Sequence, residues 1–144
     1  MLIYLSLLSL TGLRLSSVKD FMRKDELLTV KPEELTINAI KKMKKRNVGS
    51  VLVVSEEGKL VGIFTERDVL RLVAEGKPLD KPISEYMSKK LITALLTDSL
   101  SKVASIMVEK WIRHLPVVDE RGKVVGIISI RDVLRYIVSS SEFP

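Results

Sequence analysis

The sequence predicts an α/β (α+β) fold made of two tandem β-α-β-β-α units. Three observations carry this. The stretch Gly62-Ile63-Phe64-Thr65-Glu66-Arg67-Asp68-Val69-Leu70-Arg71 recurs as Gly126-Ile127-Ile128-Ser129-Ile130-Arg131-Asp132-Val133-Leu134-Arg135. The offset is 64 residues (62 to 126), and it also carries Met43 onto Met107, Val53-Val54 onto Val117-Val118 and Gly58 onto Gly122. A fixed period of this kind marks a duplicated structural unit. In each half a stretch with apolar residues at helical spacing precedes two Val- and Ile-rich runs joined by a short loop containing Gly, a helix followed by a hairpin.

The elements follow in the same order in both halves. Met1 to Leu15 is an apolar run with its first charge at Arg14, and it lies outside the repeat. It lacks the basic start of a signal peptide, and Gly12 interrupts a run already too short for a membrane span of about 20 residues. It reads as an N-terminal extension that packs on the domain or on a second copy. Repeat 1 spans 16–76, a linker 77–82, repeat 2 spans 83–139, and 140–144 form a tail. Val18 to Met22 leads into the first repeat, and Ile83 to Met87 answers it one residue out of register. A short extended piece comes next, Leu28-Thr29-Val30 in one half and Leu91-Ile92-Thr93 in the other, with Pro32 stopping the first.

A helix is then expected over Leu35 to Asn47, with Ile37, Ile40 and Met43 on one stripe. Its counterpart runs from Leu100 to Trp111, with Val103, Ala104, Met107 and Trp111 on the stripe. Ser99 or Asp98 is a suitable N-cap for the second helix, Thr36 or Glu34 for the first. Strands Ser50 to Val54 and Leu60 to Phe64 flank a loop with Gly58; Leu115 to Val118 and Val124 to Ile128 flank one with Gly122. Each unit closes with a helix, Glu66 to about Glu75 and Ile130 to about Ser139. The linker, with Gly76, Pro78 and Pro82, ends the first of these.

Composition narrows the chemistry. At 144 residues a chain buries roughly 68–70% of the surface its unfolded form exposes, so one core forms without staples. No cysteine is present, which removes disulfides and thiol catalysis and fits a cytoplasmic location. His114 is the single histidine, so no His-based metal cluster is expected. The net charge of +6 favours anionic partners. Part of it sits in Lys41-Lys42-Met43-Lys44-Lys45-Arg46, where a helix places most of it on a solvated face.

The repeated motif places a hydroxyl residue at the start of the closing helix and a carboxylate three residues on: Thr65 with Asp68, Ser129 with Asp132. This spacing is that of a capping box, in which side chains satisfy free backbone N–H groups at the helix start. The same helix end offers N–H groups and a positive dipole to an anion. A carboxylate there accepts hydrogen bonds from both hydroxyls of a ribose. Arg113 and His114 supply donors for phosphates, whereas Gly49 and Ser50 stand at the matching positions of the first repeat. Phosphate binding is therefore expected to be unequal between the halves.

The duplicated unit, with Gly-hydrophobic-x-[Ser/Thr]-x-x-Asp after the hairpin and the stretch Arg113-His114-Leu115-Pro116-Val117-Val118-Asp119, resembles a cystathionine β-synthase (CBS) domain pair, or Bateman module. The resemblance covers about Ser16 to Ser139. It implies two repeats packed with pseudo-twofold symmetry and two clefts between them that take adenosine-containing ligands: AMP, ADP, ATP or S-adenosylmethionine. It further implies that Asp68 and Asp132 hold ribose hydroxyls, with Thr65 and Ser129 at the ribose or phosphate. Thr29, Val30, Ile92 and Thr93 would approach the base, Ile63 and Ile127 would line its pocket, and Val48, Gly49, Ser50, Ile112, Arg113 and His114 would complete the walls and phosphate contacts.

The function expected is a stand-alone sensor, homodimeric and non-catalytic, that requires no cofactor or metal and signals to a protein target in trans. The alternative is a nucleic-acid-binding protein using the Lys41–Arg46 helix face, a mode that should weaken steeply with salt. An enzyme is disfavoured, because neither a Walker-type phosphate loop nor an acid cluster occurs. A membrane partner is likewise not expected.

Overall fold

The computed structural model, which describes residues 12–25 and 27–139, holds two three-stranded sheets, each made of one expected hairpin with a short strand beside it. The expectations for residues 1–11 and for the tail, 140–144, lie outside the described residues. Residues 12–15 are helical, and Leu13 is buried. Among the described residues no helix is long and apolar enough to cross a membrane.

The chain forms two compact units, and they do not follow the sequence halves. One holds residues 24–92 with Glu120–Val124; the other holds residues 12–23, Thr93–Asp119 and the chain from Val125. Each lead-in thus belongs with the body of the other repeat.

In the first of these units, β1 (Thr29–Val30) runs parallel to β2 (Ser50–Val54), with Thr29 opposite Leu52 and Val30 opposite Val53. β2 pairs antiparallel with β3 (Leu60–Thr65), placing Ser50 opposite Thr65. Gly58, at φ +82, supplies the left-handed residue that the short connection needs. All of β2 is buried, which is why it reads as a continuous apolar run, whereas β3 alternates. α1 (Thr36–Arg46) and α2 (Glu66–Ala74) complete the unit. Its core holds Leu28, Val30, Ala39, Met43, Val51, Val53, Phe64 and Leu72. Ile83, from the second lead-in, is fully buried in that same core.

The other unit repeats the plan with β4 (Ala94–Leu95), β5 (His114–Val118) and β6 (Val124–Ser129) in the order β4-β5-β6. α3 (Leu100–Lys110) and α4 (Ile130–Ser139) are its helices. The first lead-in joins it through Val18 N–H donating to Asp98 O at 2.8 Å and Leu100 N–H donating to Ser16 O at 2.9 Å. Phe21 meets Tyr136 of α4 edge-on, with ring centroids 5.2 Å apart.

Three expectations are corrected. The second short strand lies at Ala94–Leu95, not at Leu91-Ile92-Thr93. Val30 pairs with Val53 and Ala94 with Val117, so Ala94 is the counterpart of Val30 and Thr93 that of Thr29. Trp111 leaves the buried stripe: it is the C-cap of α3 with φ 56 and ψ 40, and it is 83% exposed. The left-handed turn that ends the helix swings its side chain off the helical periodicity. Neither Thr36 nor Glu34 caps α1 from its own side chain. Instead both Thr36 N–H and Thr36 Oγ1 donate to Lys81 O at 2.8 Å, and Leu35 is the N-cap. Ser99 does cap α3, accepting from Lys102 N–H at 3.1 Å.

Candidate functional site

The end of β3 and the start of α2 form one corner. Thr65 is the N-cap, and its N–H donates to Asp68 Oδ2 at 2.8 Å, with Thr65 Oγ1 at 3.4 Å from the same oxygen. The first helical N–H, that of Glu66, donates to Gly49 O at 3.0 Å. Gly49, Ser50, Thr65 and Asp68 are thereby brought together, with Val48 just before them and packed on the core. Asp68 Oδ1 faces Arg71 at 3.5 Å, beyond ordinary hydrogen-bond length. Ile63 stands two residues before the cap. Its N–H donates to Ser88 O at 3.0 Å and its O accepts from Ser88 N–H at 2.8 Å.

The matching corner joins β6 to α4. Ser129 N–H and Oγ both donate to Asp132 Oδ2, at 2.8 and 3.0 Å, and Asp132 N–H donates back to Ser129 Oγ at 3.3 Å. Ile130 N–H donates to Arg113 O at 2.8 Å, which draws Ile112, Arg113 and His114 to this corner as Glu66 draws Gly49. Ile127 exchanges two backbone hydrogen bonds with Arg23, at 2.8 and 3.0 Å. Both hydroxyl–carboxylate pairs therefore cap their helices, as the spacing requires.

The two corners differ at one carboxylate oxygen. Arg23 Nε donates to Asp132 Oδ1 at 2.8 Å, and Asp132 is only 4% exposed, against 21% for the Asp68 side chain. Arg135 stands at 3.5 Å from the same oxygen, as Arg71 does from Asp68. Sequence reasoning missed Arg23 and its counterpart Ser88. The signal was there: each directly follows the methionine that closes a lead-in, Met22 or Met87.

Thr29 is exposed and Val30 buried at the head of the first unit's sheet. Ile92 and Thr93 fall on opposite sides of the boundary between the units, so they do not join one corner. The basic stretch of α1 is partly committed elsewhere. Lys42 pairs with Glu34 at 2.8 Å, Arg46 donates to Leu27 O at 3.1 Å, and Lys44, Lys45 and Arg46 occupy the last turn, where cations complement the helix dipole. Among the described residues no group of three His, Cys, Asp or Glu side chains is placed to hold a metal ion.

A duplicated α/β unit that sets a capped hydroxyl–carboxylate pair at the end of each hairpin is the class of protein these corners define. The chain belongs to the CBS-domain family, whose domain matches residues 18–75 and 83–139. Among its relatives, the CBS domain-containing protein YhcV of Bacillus subtilis is 39% identical over 120 residues, 83% of this chain and 84% of that one. Among solved structures, the CBS domain pair of protein MJ0100 in complex with 5′-methylthioadenosine and S-adenosyl-L-methionine is similar with a TM-score of 0.77 and 35% identity. That match covers 83% of this chain and 94% of the other. The CBS domain protein PAE2072 of Pyrobaculum aerophilum, complexed with AMP, is similar with a TM-score of 0.76 and 26% identity, over 86% and 99% of the two chains.

Proposed function

We propose that this protein is a regulatory module, not an enzyme, that binds an adenosine-containing ligand at its hydroxyl–carboxylate corners and signals to a protein partner in trans. The observation that carries the reading is the capped carboxylate at Asp68. One oxygen completes the helix cap, while the other is held by no hydrogen bond of ordinary length among the described residues. An oxygen so placed suits the hydroxyls of a ribose, and a hydrogen bond to a charged acceptor contributes about 1.5–3 kcal/mol. The relatives with bound AMP, methylthioadenosine and S-adenosylmethionine support the ligand class. Gly49, Ser50 and Ile63 would flank the ligand at one corner, and Arg113, His114 and Ile127 at the other, with Thr29, Val30 and Thr93 nearer the base. Adenine nucleotides are intracellular compounds, so we place the protein in the cytoplasm.

The test is a thermal-shift series with AMP, ADP, ATP and S-adenosylmethionine on wild type, Asp68→Ala and Asp132→Ala. A ligand at 100 times its Kd stabilises the fold by about 2.7 kcal/mol. At least one compound should raise the wild-type Tm, and at least one of the two variants should lose that rise. If none of the four shifts the wild type, the corners are helix caps and nothing more.

We further propose a homodimer. Leu70 and Val73 on α2, and Leu134 and Val138 on α4, are exposed apolar side chains on helices whose other faces pack inward. Covering such faces removes apolar surface from water. Sedimentation at micromolar concentration should give the mass of two chains; a single-chain mass would refute the dimer.

A further inference from the structure

We propose that Arg23 competes with ligand for Asp132 at the Ser129–Asp132 corner, so that the two corners bind with unequal affinity. The inference rests on the adenosine reading above and deepens it. In each corner the carboxylate spends Oδ2 on the helix cap, leaving Oδ1 as the acceptor for a ligand hydroxyl. At Asp68 that oxygen meets Arg71 at 3.5 Å. At Asp132 it already accepts a charged hydrogen bond from Arg23 Nε at 2.8 Å.

Arg23 is held in place by its backbone. Its N–H and C=O both pair with Ile127, so the side chain projects from a fixed point two residues before Ser129 along the neighbouring strand. Ser88 makes the same double backbone pairing with Ile63, two residues before Thr65. The repeats therefore present one equivalent position beside each carboxylate, filled by a long cation in one and a short hydroxyl in the other. Ser88 Oγ instead accepts from Lys90 N–H at 3.3 Å. A ribose entering the Asp132 corner must displace a charge-assisted bond made by a guanidinium, among the strongest that side chains form. At Asp68 it displaces none from the lead-in.

The experiment uses adenosine, which carries no phosphate, and measures Kd by calorimetry in two backgrounds. Asp68→Ala isolates the Asp132 corner, and adding Arg23→Ser should tighten adenosine there by about tenfold, the worth of one freed charged acceptor. Asp132→Ala isolates the Asp68 corner, and adding Ser88→Arg should weaken adenosine by about tenfold. Unchanged or weaker binding on adding Arg23→Ser overturns the proposal. If Arg23→Ser does not fold, the Ser88→Arg arm decides alone, and unchanged binding there overturns it. AMP binding that weakens in Arg23→Ser while adenosine binding stays the same would make Arg23 a phosphate ligand, and also overturns it. If wild type binds neither adenosine nor any of AMP, ADP, ATP and S-adenosylmethionine, this proposal and the adenosine reading fall together; if it binds one of those four but not adenosine, only this proposal falls. If binding is lost when Asp68→Ala and Asp132→Ala are combined but ignores both Arg23→Ser and Ser88→Arg in the single backgrounds, only the role given to Arg23 falls.

Discussion

Asp132 and Asp68 occupy the same place in their repeats, yet their removal should cost different amounts. Asp132 is almost fully buried, caps α4 and neutralises Arg23; Asp68 caps α2 from a more open position. Loss of an N-terminal cap costs about 0.5–2 kcal/mol. Breaking a buried ion pair adds to it, less than the full penalty here because Arg23 retains contact with water. Asp132→Ala should therefore lower stability by about 2–4 kcal/mol and Asp68→Ala by about 1 kcal/mol, as read by urea denaturation. Equal losses in the two variants would contradict the role given to Arg23.

At the scale of elements, the two motif glycines exist for close approach. Gly62 of β3 has φ outside the left-handed region, but a Cβ there would collide with the Met87 side chain, lying 2.7 Å from Cγ and in closer contact with Sδ. Gly126 of β6 has Met22 in the same relation, with Sδ at 2.7 Å and Cγ at 3.3 Å. The lead-in methionines seat on the strands through these gaps. An added methyl overpacks the contact at a typical cost of about 1–3 kcal/mol. Gly62→Ala should lie toward the upper end, because the stem of Met87 as well as its tip must move. Gly126→Ala should cost less, since the thioether tip of Met22 can swing aside and the Arg23 carbonyl, 3.3 Å away, need yield only slightly. Thermal melts of the two single variants check the order, and a larger loss in Gly126→Ala would refute it. Thr36 shows how an element boundary is set from a distance. Its hydroxyl and amide both reach Lys81 O, so the start of α1 is fixed by chain 45 residues further on.

For the molecule as a whole, the crossing of the lead-ins makes the sequence halves interdependent. The body of repeat 1 lacks Ile83 without the second half, and the body of repeat 2 lacks Val18; both residues are fully buried. Losing a large aliphatic core side chain costs about 2–5 kcal/mol, a large part of the roughly 5–15 kcal/mol that stabilises a typical domain. Fragments 1–80 and 81–144 prepared separately should each lack a cooperative melt, and mixing them should restore one. Two fragments that each melt cooperatively alone would refute this.

The order of elements, the hairpins and the pairing of Thr65 with Asp68 and Ser129 with Asp132 were determined by the sequence itself, because periodicity, turn glycines and cap spacing are local properties of the chain. Ser99 was legible as a cap for the same reason. The cap of α1, the seat of Met22 and Met87 and the ion pair from Arg23 to Asp132 were decided only by the tertiary structure. Each joins residues far apart in sequence, 109 apart for Arg23 and Asp132, and no local pattern encodes such a meeting. The difference between the two carboxylates is one of these, whereas Gly49 and Ser50 against Arg113 and His114 already told the halves apart in the sequence. The chain spells the same motif twice, and at the carboxylates what distinguishes the copies is that packing brings Arg23 onto Asp132, while Ser88, at the equivalent backbone position, turns its hydroxyl to Lys90.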